Sequence, residues 1–138
     1  MLVKKIIFIL LAFTLGITKA QILKPELIVA GTTVAYKTLK SKTQLIVIKL
    51  KSLLENKKLL LSDTSFVIEK YTFSIYIGNK LKDFKENGNV LSEDIIEELN
   101  ELEESKEKKF NVYIQEIVAI NGDDKQIKIQ DEKFILEK

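Results

Sequence analysis

The sequence predicts an α+β fold: a mostly antiparallel β-sheet with one clear amphipathic helix at about residues 93–104. Three observations predict it. "SFVIEKYTFSIYIG" (65–78) alternates apolar and polar residues with period two, as a strand with one buried and one wet face does. "SEDIIEELNELEE" (92–104) places Ile95, Leu99 and Leu102 at i, i+4 and i+7 behind a serine, the pattern of a capped helix with one apolar stripe. "FNVYIQEIVAINGDDKQIKIQ" (110–130) reads as two strands joined at Asn121-Gly122.

The first twenty residues read as an export signal rather than as part of the fold. Lys4 and Lys5 form a basic start, Ile6 to Ile17 an apolar run, and Thr18-Lys19-Ala20 a small-residue site for cleavage before Gln21. The run is shorter than the roughly 20 residues of a bilayer-spanning helix. Residues 21–138 are therefore expected to form a single domain, periplasmic or secreted, with no integral membrane span after cleavage. The sequence has no cysteine, hence neither a lipid-modified N-terminal cysteine nor a disulfide.

Cleavage would remove Lys4, Lys5 and Lys19 and no acid, moving the formal charge from +2 to −1. The remaining charge is uneven: lysines dominate residues 21–60, and Asp and Glu dominate residues 61–138. This fits two solvated faces of opposite sign, or a basic edge for a partner or an anionic membrane. There is no arginine, which counts against bidentate recognition of phosphate or guanine and so against nucleic acid as a partner.

The elements follow in order. "ELIVAGTTVAY" (26–36) suits a strand with a bend or bulge at Gly31. "TQLIVIKLKSLLENKKLL" (43–60) reads as a strand through Ile46, Ile48 and Leu50, then a short helix near Lys51–Lys57. In the strand from Ser65 to Gly78, Val67, Tyr71, Phe73, Ile75 and Ile77 are expected inward with Glu69 an exception, and Lys70, Thr72 and Ser74 outward. A short polar strand then runs into an Asn87-Gly88 turn. Ser92 is expected to cap the helix, with Glu93 and Asp94 at its positive end. In the final hairpin Phe110, Val112 and Ile114 share a face. The adjacent Ile117 and Val118 then shift the phase, predicting a β-bulge or a strand covered on both sides. Ile127 and Ile129, then Phe134 and Leu136, point inward.

Little chemistry is open to this composition. Without histidine or cysteine there is no Ser-His-Asp or Cys-His nucleophile and no Cys/His zinc site. Isolated glycines exclude GxGxxG and P-loop motifs. Glu97, Glu101 and Glu104 neighbour one another on the helix, but an acid/base pair needs a cleft and unequal environments, and a solvated face is the plainer reading. Asp123, Asp124, Asp131 and Glu132 lack the spacing of a calcium loop. Tyr71 and Tyr76 could stack on a ligand but suit a core or sheet surface. The expectation is a non-enzyme with no cofactor and no metal, whose sheet edge or hairpin binds another protein.

From about residue 50 to its end, the sequence resembles the C-terminal domain of the gliding-motility and type IX secretion protein GldM, also called PorM. The resemblance rests on "KYTFSIYI" with Phe73 and Ile75, on Asn87-Gly88, and on Leu91, Ser92 and Glu93 before Leu99 and Leu102. It continues through Val112, Tyr113, Ile114, Glu116, Ile117, Ala119, Gly122 and Asp123, and then Phe134. The sequence departs from the family in lacking a Gly-Pro-Asp-Gly turn and in leaving its helix through "EESKEKK". A full-length member is similar to a periplasmic shaft coupling an inner-membrane motor to outer-membrane partners; this sequence resembles its terminal module. The resemblance implies a non-catalytic periplasmic domain that contacts envelope proteins. The exposed residues around the last turn, Asn121, Asp123, Asp124 and Lys125, are the candidate contact site, though turn chemistry alone also explains them. The alternative is a carrier of small apolar ligands, with a pocket between the sheet and the Ile95/Leu99/Leu102 helix.

Overall fold

The computed structural model describes residues 25–35, 38–39, 42–43 and 45–138, with 38–39 and 42–43 described by backbone alone. The expected signal segment, its cleavage point before Gln21, and Tyr36 at the end of the first expected strand lie outside these residues. In chain order the elements are β1 (Leu27–Val29), β2 (Thr32–Thr33), β3 (Thr38–Leu39), β4 (Lys42–Thr43), β5 (Val47–Lys49), α1 (Leu50–Glu55), β6 (Leu60–Leu61), β7 (Phe66–Ile77), β8 (Lys80–Asn87), α2 (Glu93–Glu101), β9 (Lys109–Asn121), β10 (Gln126–Ile129) and β11 (Glu132–Glu137). The main sheet runs β5-β11-β9-β7-β8, with β10 also on β9. Every pairing in it is antiparallel except β5 with β11. The fold is α+β, as the sequence patterns predict.

The longest alternations make the longest strands, and β7 and β9 lie side by side at the centre. Their inward residues Tyr71, Phe73, Ile75, Phe110, Val112 and Ile114 are buried, as are Phe134 and Leu136 of β11. Ile95, Leu99 and Leu102 of the helical segment belong to the same core, joined from the first half of the chain by Leu27, Val29, Ile48, Leu50 and Leu53. Fully burying such aliphatic and aromatic side chains is worth about 1.5–3 kcal/mol each, which is why the patterned faces turn inward.

The inward face of β7 departs from the expectation at one end. Val67 was expected in the core but is 51% exposed, and Ile68 is buried instead. The cause is a pair of irregularities in the β7–β9 ladder. Register is lost between Ile68 and Lys70, where Glu69 is extra, and recovered between Lys70 and Thr72, opposite Glu116 on β9. Each extra residue flips the alternation of its own strand, so Ile68 with Tyr71, and Ile114 with Ile117, stay on one side. The bulge expected from Ile117-Val118 is therefore present, centred on Glu116 with φ +50°. Thr72 and Ser74 face away from the core as expected, yet they are buried and not wet. Partners on neighbouring strands hold them: Thr72 donates to Glu116 at 2.9 Å and Ser74 to Asp83 at 2.5 Å.

The turns are where glycine matters. Gly31 makes neither a bend nor a bulge within one strand; with Ala30 it forms a two-residue hairpin between β1 and β2, both residues at positive φ. Asn87 is still paired with Lys70, and only Gly88 takes a left-handed φ of +88°, so this turn ends β8 without making a hairpin.

α2 begins as expected. Ser92 Oγ accepts the Ile95 N–H at 3.3 Å, and its hydroxyl donates to Glu86 Oε1 at 2.7 Å, tying the helix start to β8. Leu102 begins a single 3-10 turn, so the expected helix at 93–104 is an α-helix with a tightened last turn. Ser92→Ala should cost about 1 kcal/mol, the usual value of such a cap. The check is urea unfolding, with a lower midpoint and an unchanged slope.

Candidate functional site: the hairpin tip and the outer sheet face

The turn between β9 and β10 is built by Asn121. Its Oδ1 accepts the N–H of Asp123 at 3.0 Å and of Lys125 at 2.9 Å, and its carbonyl accepts the Asp124 N–H at 3.1 Å. The left-handed residue is Asp124, φ +58°, and not Gly122. Aspartate tolerates this conformation better than most residues. Asn121 is thus half-buried and occupied by the turn, while Asp123, Asp124 and Lys125 are exposed together at the tip. Three of the four candidates are free to meet a partner; the fourth holds the loop in shape.

Below the tip the bulge opens a groove of about 610 Å³, lined in part by Lys70, Thr72, Lys85, Glu116, Lys128 and Asp131. β10 and β11 run along the same side of β9 and keep one register, Ile129 opposite Ile117 and Glu132 opposite Ile114. Between them the strand breaks, and Asp131 Oδ1 accepts the Glu116 N–H at 3.1 Å. Glu116 and Asp131 are both exposed and both serve the bulge. Glu116→Val should cost about 1–3 kcal/mol, because a β-branched residue is strained at positive φ. Glu116→Gly should be milder, trading the Thr72 contact for an unstrained backbone. Thermal melts of the two variants check this; equal losses would mean that the left-handed bulge residue is not at 116.

Sequence reasoning missed a second surface, the outer face of the main sheet. Leu81 on β8 lies opposite Tyr76 on β7, whose ring meets that of Tyr113 on β9 edge-on at 5.9 Å. Lys133 lies opposite Tyr113 with its ammonium 5.3 Å from the ring centroid, and Ile135 beside it is opposite Val47 on β5. Leu81, Tyr76 and Val47 are 39–46% exposed. At the end of the row Lys49 and Glu137 pair at 2.9 Å, and the lysine holds the Glu137 carboxyl below its usual range. The one signal in the sequence was Tyr76, which alternates out of phase with Phe73 and Ile75.

The other candidates resolve simply. Tyr71 is a core residue whose hydroxyl donates to the Val90 carbonyl at 2.8 Å; burial, with Glu86 nearby, pushes its pKa up. Glu97, Glu101 and Glu104 are exposed and line an open groove on the helix surface. Asp131 serves the bulge and Glu132 is buried on the core side of β11. Among the described residues no cluster of three or more acids has the arrangement to hold a metal ion, and no helix is long and apolar enough to cross a membrane. No protein-family model matches the chain, and no curated protein matches it.

Proposed function

We propose that the chain is an exported, non-catalytic domain of the cell envelope that binds another protein, in the manner of the GldM C-terminal domain it resembles, with components of type IX secretion or gliding machinery as partners. One observation carries this reading. Leu81, Tyr76, Tyr113, Ile135 and Val47 form an apolar, tyrosine-bearing row across the outer sheet face, with Leu81, Tyr76 and Val47 exposed and Tyr113 and Ile135 half-buried, while the inner face is filled by the core. Tyrosines within an apolar patch are enriched at protein interfaces. The tip residues Asp123, Asp124 and Lys125 offer a separate, charged contact at the other end of the β7–β9 ladder, where Asn121 lies opposite Phe66.

The test is site-specific photo-crosslinking of the full chain in its native host, with the crosslinker at Tyr76, at Asp124 and, as a control, at exposed Glu104. A common envelope protein captured from Tyr76 or Asp124 and not from Glu104 is the expected result. Capture from none of the positions, or equally from all three, rejects the reading.

The carrier reading retains one observation in its favour. An apolar groove of about 330 Å³ between β6 and β7 is lined by Ile28, Leu60, Phe66 and Val67 among others. It is open and lies away from the helix–sheet interface. An environment-sensitive apolar dye displaced by lipids or fatty acids, and lost on Val67→Asp, would favour it.

A further inference from the structure

Among the described residues β8 is an edge strand of the main sheet with no strand on its outer side, and almost all of it is exposed. Edge strands rich in lysine ordinarily resist strand addition, since like charges meet across the new pair. Here acids alternate with the lysines: Lys82-Asp83-Phe84-Lys85-Glu86. Read antiparallel to itself about Phe84, this run is self-complementary. Lys82 meets Glu86 of the other copy and Asp83 meets Lys85. We propose that a second copy of this chain pairs along β8, Phe84 on the two-fold axis, joining two main sheets into one continuous antiparallel sheet. The inference stands on the β8 edge alone and does not rest on the proposed function.

The backbone geometry selects the same arrangement. Gly88 N–H bonds the Glu69 carbonyl just beyond the Lys70–Asn87 pair, and the β7–β8 hairpin closes with Ile77 opposite Lys80. The bonded pairs with β7 are therefore those of Lys80, Lys82, Phe84 and Glu86, which leaves the N–H and C=O groups of Leu81, Asp83, Lys85 and Asn87 pointing outward. In the Phe84-centred register these free groups face one another, Asp83 with Lys85 and Leu81 with Asn87. Moving the axis to Asp83 sets two aspartates together, and moving it to Lys85 sets two lysines together. Like charges directly opposite destabilise a pair and opposite charges stabilise it.

Bonds within the monomer leave this pairing open. Asp83 uses Oδ1 for Ser74, and Glu86 uses Oε1 for Ser92, so each keeps a second oxygen. Lys82 donates to Glu98 at 2.7 Å and has further donors. Lys85 makes no hydrogen bond or ion pair among the described residues. Phe84, packed edge-on against Phe73 at 6.3 Å and half-buried, would be covered by its twin.

The experiment is analytical ultracentrifugation of the full chain purified after export. The expected result is a dimer at concentrations up to about 100 µM that weakens as salt rises. Lys85→Glu puts Glu against Asp83 and should weaken dimerisation about ten-fold or more. Asp83→Lys should do the same. Mixing these two variants should restore a heterodimer, because each then faces its opposite. Phe84→Cys supplies a second readout in a protein with no cysteine of its own. An unbonded antiparallel pair brings Cα atoms to about 4.5 Å, within disulfide range, so Phe84→Cys should crosslink to itself and Lys85→Cys should not. A wild-type monomer, a dimer indifferent to Lys85→Glu, or crosslinking through Lys85→Cys with none through Phe84→Cys overturns the proposal, the last two by placing the contact on another surface or in another register.

Discussion

Ile68→Ala should cost about 2–5 kcal/mol of stability, while Val67→Ala, one residue earlier, should cost within about 0.5 kcal/mol. Ile68 is 2% exposed and Val67 is 51% exposed. Truncating the first leaves a cavity in the core; truncating the second trims a surface residue. In a domain of about this size the first change should lower the melting temperature by about 10 °C or more, and the second should barely move it. Thermal melts of the two purified variants decide the matter. The two are neighbours of similar chemistry, so the contrast isolates the bulge. An unbroken alternation from Tyr71 back through Glu69 would bury Val67 and expose Ile68, and the opposite ranking of losses would show that β7 runs without the extra residue at Glu69.

That pair of residues also shows what single-strand periodicity can and cannot reveal. Glu69 already broke the apolar series Val67, Tyr71, Phe73, Ile75, and a charged residue in a core phase is itself a bulge signal. It was legible as an exception but not as a shift, because its counterpart lies on another strand. Glu116 restores the register that Glu69 removes, and Phe66–Asn121 and Phe73–Ile114 obey one pairing rule on either side. Thr72 and Ser74 were misread as wet for the same reason: their partners, Glu116 and Asp83, come from β9 and β8. The helix start, its buried stripe and the last hairpin were legible because caps, i,i+4 spacing and turn residues are local.

In the first part of the chain strands were expected where β1, β2 and β5 lie, but their short extents and their partners hid for a different reason. β1, β2, β5 and β6 are two or three residues long, too short to establish a period, and the β1–β6 and β5–β11 pairings join distant segments, as Leu27–Leu61 and Val47–Ile135 do. The tip of the last hairpin could be placed from Asn121-Gly122, even though the left-handed residue proved to be Asp124. The outer row could not, since Leu81, Tyr76, Tyr113, Ile135 and Val47 come from five strands and become neighbours only through register.

Leu99→Ala should cost about 3–5 kcal/mol and, unlike the wild type, should create a place for a small apolar molecule. Ile95 and Leu99 are 0% exposed and Leu102 is 2% exposed against the sheet. Side chains already occupy the space that a ligand between helix and sheet would need. An apolar cavity left by a deleted leucine can stay dry and take up benzene. The melting temperature of the wild type should therefore be unmoved by saturating benzene, whereas that of Leu99→Ala should rise, binding to the folded state alone being stabilising. With a loss this large measured against a typical total of about 5–15 kcal/mol, the milder Leu99→Val guards against a variant that does not fold. A benzene-dependent rise in the wild type would mean that the interface opens and would return the carrier reading to the helix–sheet interface. Its absence, with the rise confined to the variants, shows the helix–sheet interface closed to a carried ligand, because Ile95, Leu99 and Leu102 fill it.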